Sequence, residues 1–196
     1  MENNTVLQLL DQGKGLLFAS KAVEAGLNRV QLSALVKDGF LERSGRGVYV
    51  PAGELGDEYF ALQQRATKIV YSHETALFFH RLTDRTPVRY SITVPSSYKP
   101  SAMLKMSCKV FYIRQNLVDT GKIAMPSGMG HTIFTYDLER TVCDIVRSRN
   151  KIEGQIFIDT LKRYAVRKDK DLNRLSLYAK NFGISMLLHQ YMEVLL

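Results

Sequence analysis

The stretch from residue 16 to residue 50, LLFASKAVEAGLNRVQLSALVKDGFLERSGRGVYV, restricts the fold most, because its caps, turn glycines and hydrophobic periods all agree. Ser20 is placed to cap a short helix running through Ala25, and Gly26 supplies the backbone freedom of a turn between two helices. Asn28 caps a second helix, VQLSALVKD, in which Leu32, Leu35 and Val36 share one stripe, and Gly39 closes it. Phe40 and Leu41 return the chain to the core. The segment ERSGRG, between that apolar pair and the alternating VYV, predicts a hairpin carrying Arg43 and Arg46 near its tip. Helix, turn, helix and hairpin in this order make a winged helix-turn-helix.

Such a module points to double-stranded DNA, since a helix of this length fits the major groove and a neighbouring hairpin reaches phosphates or the minor groove. Arg29 and Gln31 are the expected base readers, Arg gripping guanine and Gln adenine through paired hydrogen bonds. Asn28, Ser33 and Lys37 are placed to assist, and Lys21 on the preceding helix to steady the phosphate backbone.

The 196 residues can bury a real core but suggest two small domains. We expect a winged module at 1–55, a connector helix at 56–67 with apolar Phe60, Ala61 and Ala66, and a larger α+β domain at 68–196; Pro51, Gly53 and Gly56 break the pattern at the boundary. No run of about 18 apolar residues is present, and MENNTVLQLLDQGKG lacks the basic start and apolar block of a secretion signal, so a cytoplasmic location and no membrane partner are expected. Cys108 and Cys143 have no metal spacing and read as reduced, buried thiols. The net charge of +8 suits a polyanion partner. Its distribution is uneven: residues 1–67 hold seven Lys and Arg against eight Asp and Glu, and the remainder holds 20 against 11. Arg147, Arg149 and Lys151, followed by Lys162, Arg163, Arg167, Lys168, Lys170 and Arg174, could therefore extend a nucleic-acid track, interrupted by Asp169 and Asp171.

The second domain reads as a small sheet with a helical C-terminal end. Ser72 would cap the helix HETALFFHRL; strands are expected in RYSITVP, CKVFYIR, DTGKIAMP and GHTIFTYD, with loops at SSYKPSAMLK and MPSGMG. Helices follow, with buried stripes Leu138, Val142, Ile145, Val146; Ile158, Leu161, Ala165; Leu172, Leu175, Ala179; and Ile184, Leu188, Tyr191, Leu195. Tyr90, Tyr98 and Tyr112 read as strand and loop packing, and Lys99 and Lys105 as solvated loop cations.

No catalytic or metal site is expected. His73, His80, His131 and His189 are scattered without ligand spacing, and Ser72, His73 and Glu74 are neighbours that a helix would point in different directions. A metal-dependent nuclease would carry clustered carboxylates and a Glu-x-Lys; no Glu here is followed two positions later by Lys, and a phosphate-cradling GxxxxGK[ST] is absent. No cofactor is expected.

The wing GRGVYV, the helix SHETALFFHRLTD, the strand YSITVP and the helix YDLERTVCDIVR, in this order over nearly the whole chain, resemble the AbiEi-like antitoxins of bacterial abortive-infection type IV toxin-antitoxin systems. The resemblance implies a chain that represses its own operon by binding promoter inverted repeats in two copies, and that antagonises a nucleotidyltransferase-like toxin without a stable complex. It maps the reading helix to Asn28–Asp38 and the wing to Glu42–Val50, so Arg29, Gln31, Lys37, Arg43 and Arg46 inherit the DNA contacts. The alternative is a winged regulator whose second domain senses a small molecule in an apolar pocket.

Overall fold

In the computed structural model, which describes residues 2–193, the chain is a mixed α+β protein with two sheets and a helical C-terminal part. It divides into two compact units, one of residues 1–67 with 126–133 and one of residues 68–125 with 134–196.

The first unit begins with a helix the sequence analysis did not anticipate, α1 (Glu2–Gln12), which buries Val6 and Leu10. Strand β1 (Leu17–Phe18) leads directly into α2 (Ala19–Glu24), and α3 (Arg29–Lys37) follows the turn at Gly26, whose φ is +90°. Ser20 is not the cap. Ala19 N–H donates to Gly47 O at 2.9 Å, so α2 starts where β1 meets the hairpin, and Ser20 already lies inside it. Strands β2 (Leu41–Gly45) and β3 (Val48–Pro51) form the hairpin, with a register shift between Arg43 and Gly45, and β3 also pairs antiparallel with β1. All three residues of the VYV run are buried because β3 packs on both faces. Tyr49 joins the cluster of Val6, Leu17, Leu32, Leu35 and Leu41; Val48 and Val50 join Leu16 and Ala61 of α4 (Glu58–Arg65). Val36 is only half-buried.

The second unit is built on a five-stranded mixed sheet of order β6-β5-β4-β8-β7, comprising β4 (Val70–Tyr71), β5 (Tyr90–Pro95), β6 (Cys108–Ile113), β7 (Lys122–Pro126) and β8 (Thr132–Tyr136). β5 follows the short helix α5 (His73–Phe79). β5 and β6 are parallel, which requires a crossover; the expected loop SSYKPSAMLK supplies it by forming α6 (Ala102–Ser107), capped by the Ser101 hydroxyl. Helices α7 (Leu138–Arg147), α8 (Gly154–Ala165), α9 (Leu172–Asn181) and α10 (Ser185–Met192) complete the core. The expected stripe of α7 is buried entirely, but Ile158 and Leu172 lie 46% and 43% exposed: α8 turns Leu161, Tyr164 and Ala165 inward instead, and α9 turns Leu175 and Ala179. Leu195 falls outside the described residues.

Every position of α7 from Leu138 to Val146 is buried, charged ones included. Arg140 is fully buried, its guanidinium stacked 3.9 Å from the centroid of the Tyr136 ring and 4.4 Å from that of Phe182. In its plane it donates to Asp144 at 3.0 Å and to the carbonyls of Leu117 and Thr120 at 3.0 and 2.5 Å. A planar cation with apolar faces and a donating edge suits this slot, and a lysine, having no planar group, could not stack between both rings while donating along that edge. Among the described residues, no helix is long and apolar enough to cross a membrane.

Candidate functional site

The expected reading helix owes its exposed face to how it starts. Asn28 Oδ1 accepts from Gln31 N–H at 2.9 Å, while Gln31 Oε1 accepts from Asn28 N–H at 2.6 Å, a reciprocal capping box. Leu32 and Leu35 anchor the opposite side in the core. Arg29, Ser33 and Lys37 therefore stand in one solvent-facing row, with Val30 and Ala34 in the next. Gln31 is half-buried, its amide oxygen engaged in the cap. Ser33 donates to Arg29 O at 2.9 Å, and Lys21 on α2 pairs with Glu24 at 2.7 Å.

The hairpin packs against α3 through β2. Arg43 leans on Tyr49, 5.6 Å from the ring centroid, and its guanidinium donates to the phenol oxygen at 3.4 Å. Arg46 and Gly47 make the turn, Gly47 at φ +70°, and the Arg46 side chain is exposed. A third cation joins them that the sequence reading missed: Arg65 at the end of α4 donates to Arg46 O at 3.5 Å. Its separation from the hairpin by a whole helix hides this from any local rule.

The basic track expected in the second unit is mostly engaged internally. Arg147 pairs with Asp144 at 3.3 Å, Arg163 with Asp84 at 2.5 Å, Arg167 with Asp169 at 2.6 Å, and Arg174 with Asp171 at 3.5 Å. Arg167 also donates to His80 O at 2.8 Å, and Lys170 closes the end of α8 on the carbonyls of Ala165 and Arg167. The Asp169 carboxyl is held down at about 2, chiefly by its hydrogen bond from Arg167. Arg149, Lys151, Lys162 and Lys168 stand outside these pairs. A cleft of about 300 Å³ in this unit is lined by charged side chains already paired to each other, Arg85 with Glu153 at 3.3 Å and Lys109 with Glu74 at 2.8 Å.

Two buried polar clusters were invisible in the sequence. In the first unit Asp57, 3% exposed as a residue, caps α4 by accepting from Phe60 N–H at 3.0 Å. Its other oxygen accepts from Ser127 Oγ and faces His131 Nδ1 at 2.8 Å. His131 Nε2 lies 3.2 Å from Gly13 O, and its ring stacks on Phe60 with centroids 4.3 Å apart. Serine, histidine and aspartate meet here in an order unlike that of a catalytic triad, because the carboxylate lies between hydroxyl and imidazole and the imidazole does not reach the serine. The arrangement instead ties segment 126–133 to α4 and to the turn after α1.

In the second unit, Ser72 and His73 do meet, contrary to the expectation from helical directions. His73 takes φ +47° as the first residue of α5, which swings its ring back so that Nδ1 lies 2.9 Å from Ser72 Oγ and Nε2 lies 3.0 Å from Ser148 Oγ. Thr93 donates to the Ser72 hydroxyl at 2.8 Å, which leaves that hydroxyl to donate to Nδ1 and Nε2–H to donate to Ser148. Burial, the largest influence, pushes His73 down to about 4, so the ring is neutral at neutral pH. Ser72 and His73 are wholly enclosed, out of reach of a substrate. The buried thiols of Cys108 and Cys143 are unpaired, and burial raises both above the ordinary thiol range, which suppresses nucleophilic thiolate.

Replacing His131 with Ala leaves the enclosed Asp57 carboxylate short of a partner and should cost roughly 2–3 kcal/mol in urea unfolding. A fragment of residues 1–67, lacking both Ser127 and His131, should show weaker amide protection in α4 than the full chain; equal protection and an unshifted His131→Ala midpoint would refute the tie. For His73, the unfolded chain takes up a proton near pH 6.5 and the folded chain only near 4, so stability is fully present above 6.5 and falls as the pH drops towards 4. The loss amounts to about 3 kcal/mol. Urea unfolding between pH 7 and 4 should show a shallower decline for His73→Asn, which tolerates the same positive φ; parallel curves would count against it.

No protein-family model matches this sequence, and no curated protein matches it. Its fold is shared with the crystal structure of the RV2827C protein from Mycobacterium tuberculosis, at a TM-score of 0.67 and 17% identity over 97% of this chain and 77% of that one. At that identity the likeness is one of fold alone.

Proposed function

We propose that this chain binds double-stranded DNA through a winged helix-turn-helix composed of α2, α3 and the β2–β3 hairpin, and that it acts as the autorepressing antitoxin of a type IV toxin-antitoxin pair. The observation that carries the DNA reading is the solvent face of α3. It holds Arg29, Ser33 and Lys37 in one row, is anchored by Leu32 and Leu35, and is packed beside a hairpin bearing Arg43 and Arg46. A capped helix with a cationic outer face and a basic hairpin beside it is the geometry that places base readers in a major groove and holds the phosphates alongside. Arg65 adds a third cation at the hairpin turn. Since the first unit has no net positive charge, affinity would come from this local grouping rather than from a general field.

The antitoxin role is supported by the resemblance in the segments GRGVYV, SHETALFFHRLTD, YSITVP and YDLERTVCDIVR. Two of them hold residues that the second unit uses as its framework: His73 with Ser72 in one, Arg140 with Asp144 in the other. With five of the nine basic residues of the expected track tied to neighbours, the second unit's charge serves largely to hold its own helices.

In fluorescence anisotropy with DNA from the chain's own promoter, Arg29→Ala should cost about 1–3 kcal/mol and relax selectivity at one base pair. Arg43→Ala and Arg46→Ala should weaken binding to all sequences and each lower the salt slope by roughly 0.9. Unchanged promoter occupancy in the triple variant would end the DNA reading. Coexpression with a neighbouring nucleotidyltransferase-like reading frame should restore growth even in the triple variant, since neutralisation is assigned to the other unit; continued growth arrest by the wild-type chain would end the antitoxin reading.

A further inference from the structure

We propose that Val30 and Ala34, rather than Gln31, form the sequence-reading centre of α3, and that they do so by touching the C5-methyl groups of thymines. The inference rests on the reading of α3 as the DNA-facing helix and says which bases that helix selects.

The first argument is what the cap does to Gln31. Reading an adenine with a glutamine takes both the amide oxygen and the amide nitrogen, aimed together at one base edge. The Gln31 oxygen instead accepts from Asn28 N–H at 2.6 Å, and the residue is half-buried. Turning it outward would open the capping box and give up the hydrogen bond that holds the helix start.

The second argument is what stands in its place. Val30 is 77% exposed, one position before Gln31 on the solvent side. A β-branched residue is a poor choice for an exposed helical position, because it loses side-chain freedom there and gains no burial in return. Ala34 is exposed one turn later. The two form an apolar strip about 6 Å long, on the order of two base-pair steps. Beside it runs the row of Arg29, Ser33 and Lys37, and none of the five is a carboxylate. Cations flanking a small apolar strip complement a major groove in which phosphates flank thymine methyls. Valine and alanine have the size and the lack of hydrogen-bonding groups that such a methyl contact needs.

The test uses the full-length chain. A binding site is selected from randomised duplexes, and each thymine in it is then replaced in turn by deoxyuridine, which lacks only the methyl group. Affinities are read by anisotropy at fixed salt. Losses of about fourfold are expected at one or two positions per half-site, the size of removing one methyl from a buried contact. Val30→Ser should erase the uridine penalty at one of them and Ala34→Ser at the other, both variants melting like the wild type, while Gln31→Ala should leave the penalties in place. Absence of any uridine penalty, or penalties that persist in both variants, overturns the thymine assignment while leaving DNA binding intact. A chain that selects no site and binds no duplex overturns the reading of α3 as well.

Discussion

A carboxylate removed from water has to be satisfied by the chain itself, and the first unit is organised around that requirement at Asp57. Its two oxygens draw together the start of α4, the hydroxyl of Ser127 and the ring of His131, and His131 reaches on to the backbone of Gly13. Three separate stretches of chain are tied through Asp57 and His131. Because α4 supplies Phe60 and Ala61 to the apolar layer behind β3, the same group also fixes what the hairpin packs against. At the other end of the same helix, Arg65 reaches the hairpin turn at Arg46 O. The candidate interface thus depends on a segment more than fifty residues distant in sequence.

The second unit solves a harder version of the same problem. α7 carries Glu139, Arg140 and Asp144 through its interior. Each is accommodated differently: Arg140 by rings on both faces and carbonyls at its edge, Asp144 by Arg140 and Arg147, and Glu139 by the backbone N–H of Asp171 at 2.9 Å. Buried ions of this kind contribute little net stability compared with apolar residues of the same size, but they reject alternative packings, since any shift strands a charge. We read the charged helix as a register device that holds α7 and its neighbours in one arrangement.

On α3 the two demands that the proposed DNA reading makes, a firm start and a polar outer face, compete for the same residue. Gln31 can cap or read. The geometry commits it to the cap, and the outward row passes to Arg29, Ser33 and Lys37 with Val30 and Ala34 beside them. Much of this helix was legible in advance. Asn28 as its cap, Gly39 as its end and Leu32 and Leu35 as its anchor all follow from spacing. The expectation for Gln31 took the side chain as available because it is polar and near the helix start; the hydrogen bond that holds its amide oxygen is seen only in the structure. The short elements β1 and β4 escaped notice for another reason: two residues carry no period, and their extended form comes from the strands they pair with. α6 was hidden inside a loop because only the parallel pairing of β5 with β6 requires a crossover there.

What the sequence determined by itself is whatever closes within about one helical turn: the cap at Asn28, turn glycines at Gly26 and Gly39, and the apolar stripe of α7. These are local because a backbone N–H at a helix start finds its partner three residues away or not at all. What only the tertiary structure decided is where the charges go. Asp57 with His131, Arg140 between Tyr136 and Phe182, and Arg65 at the hairpin turn depend on groups brought from far along the chain. Whether an ionisable side chain stays in water or enters the core depends on the partners that surround it after folding, and no periodicity encodes those partners.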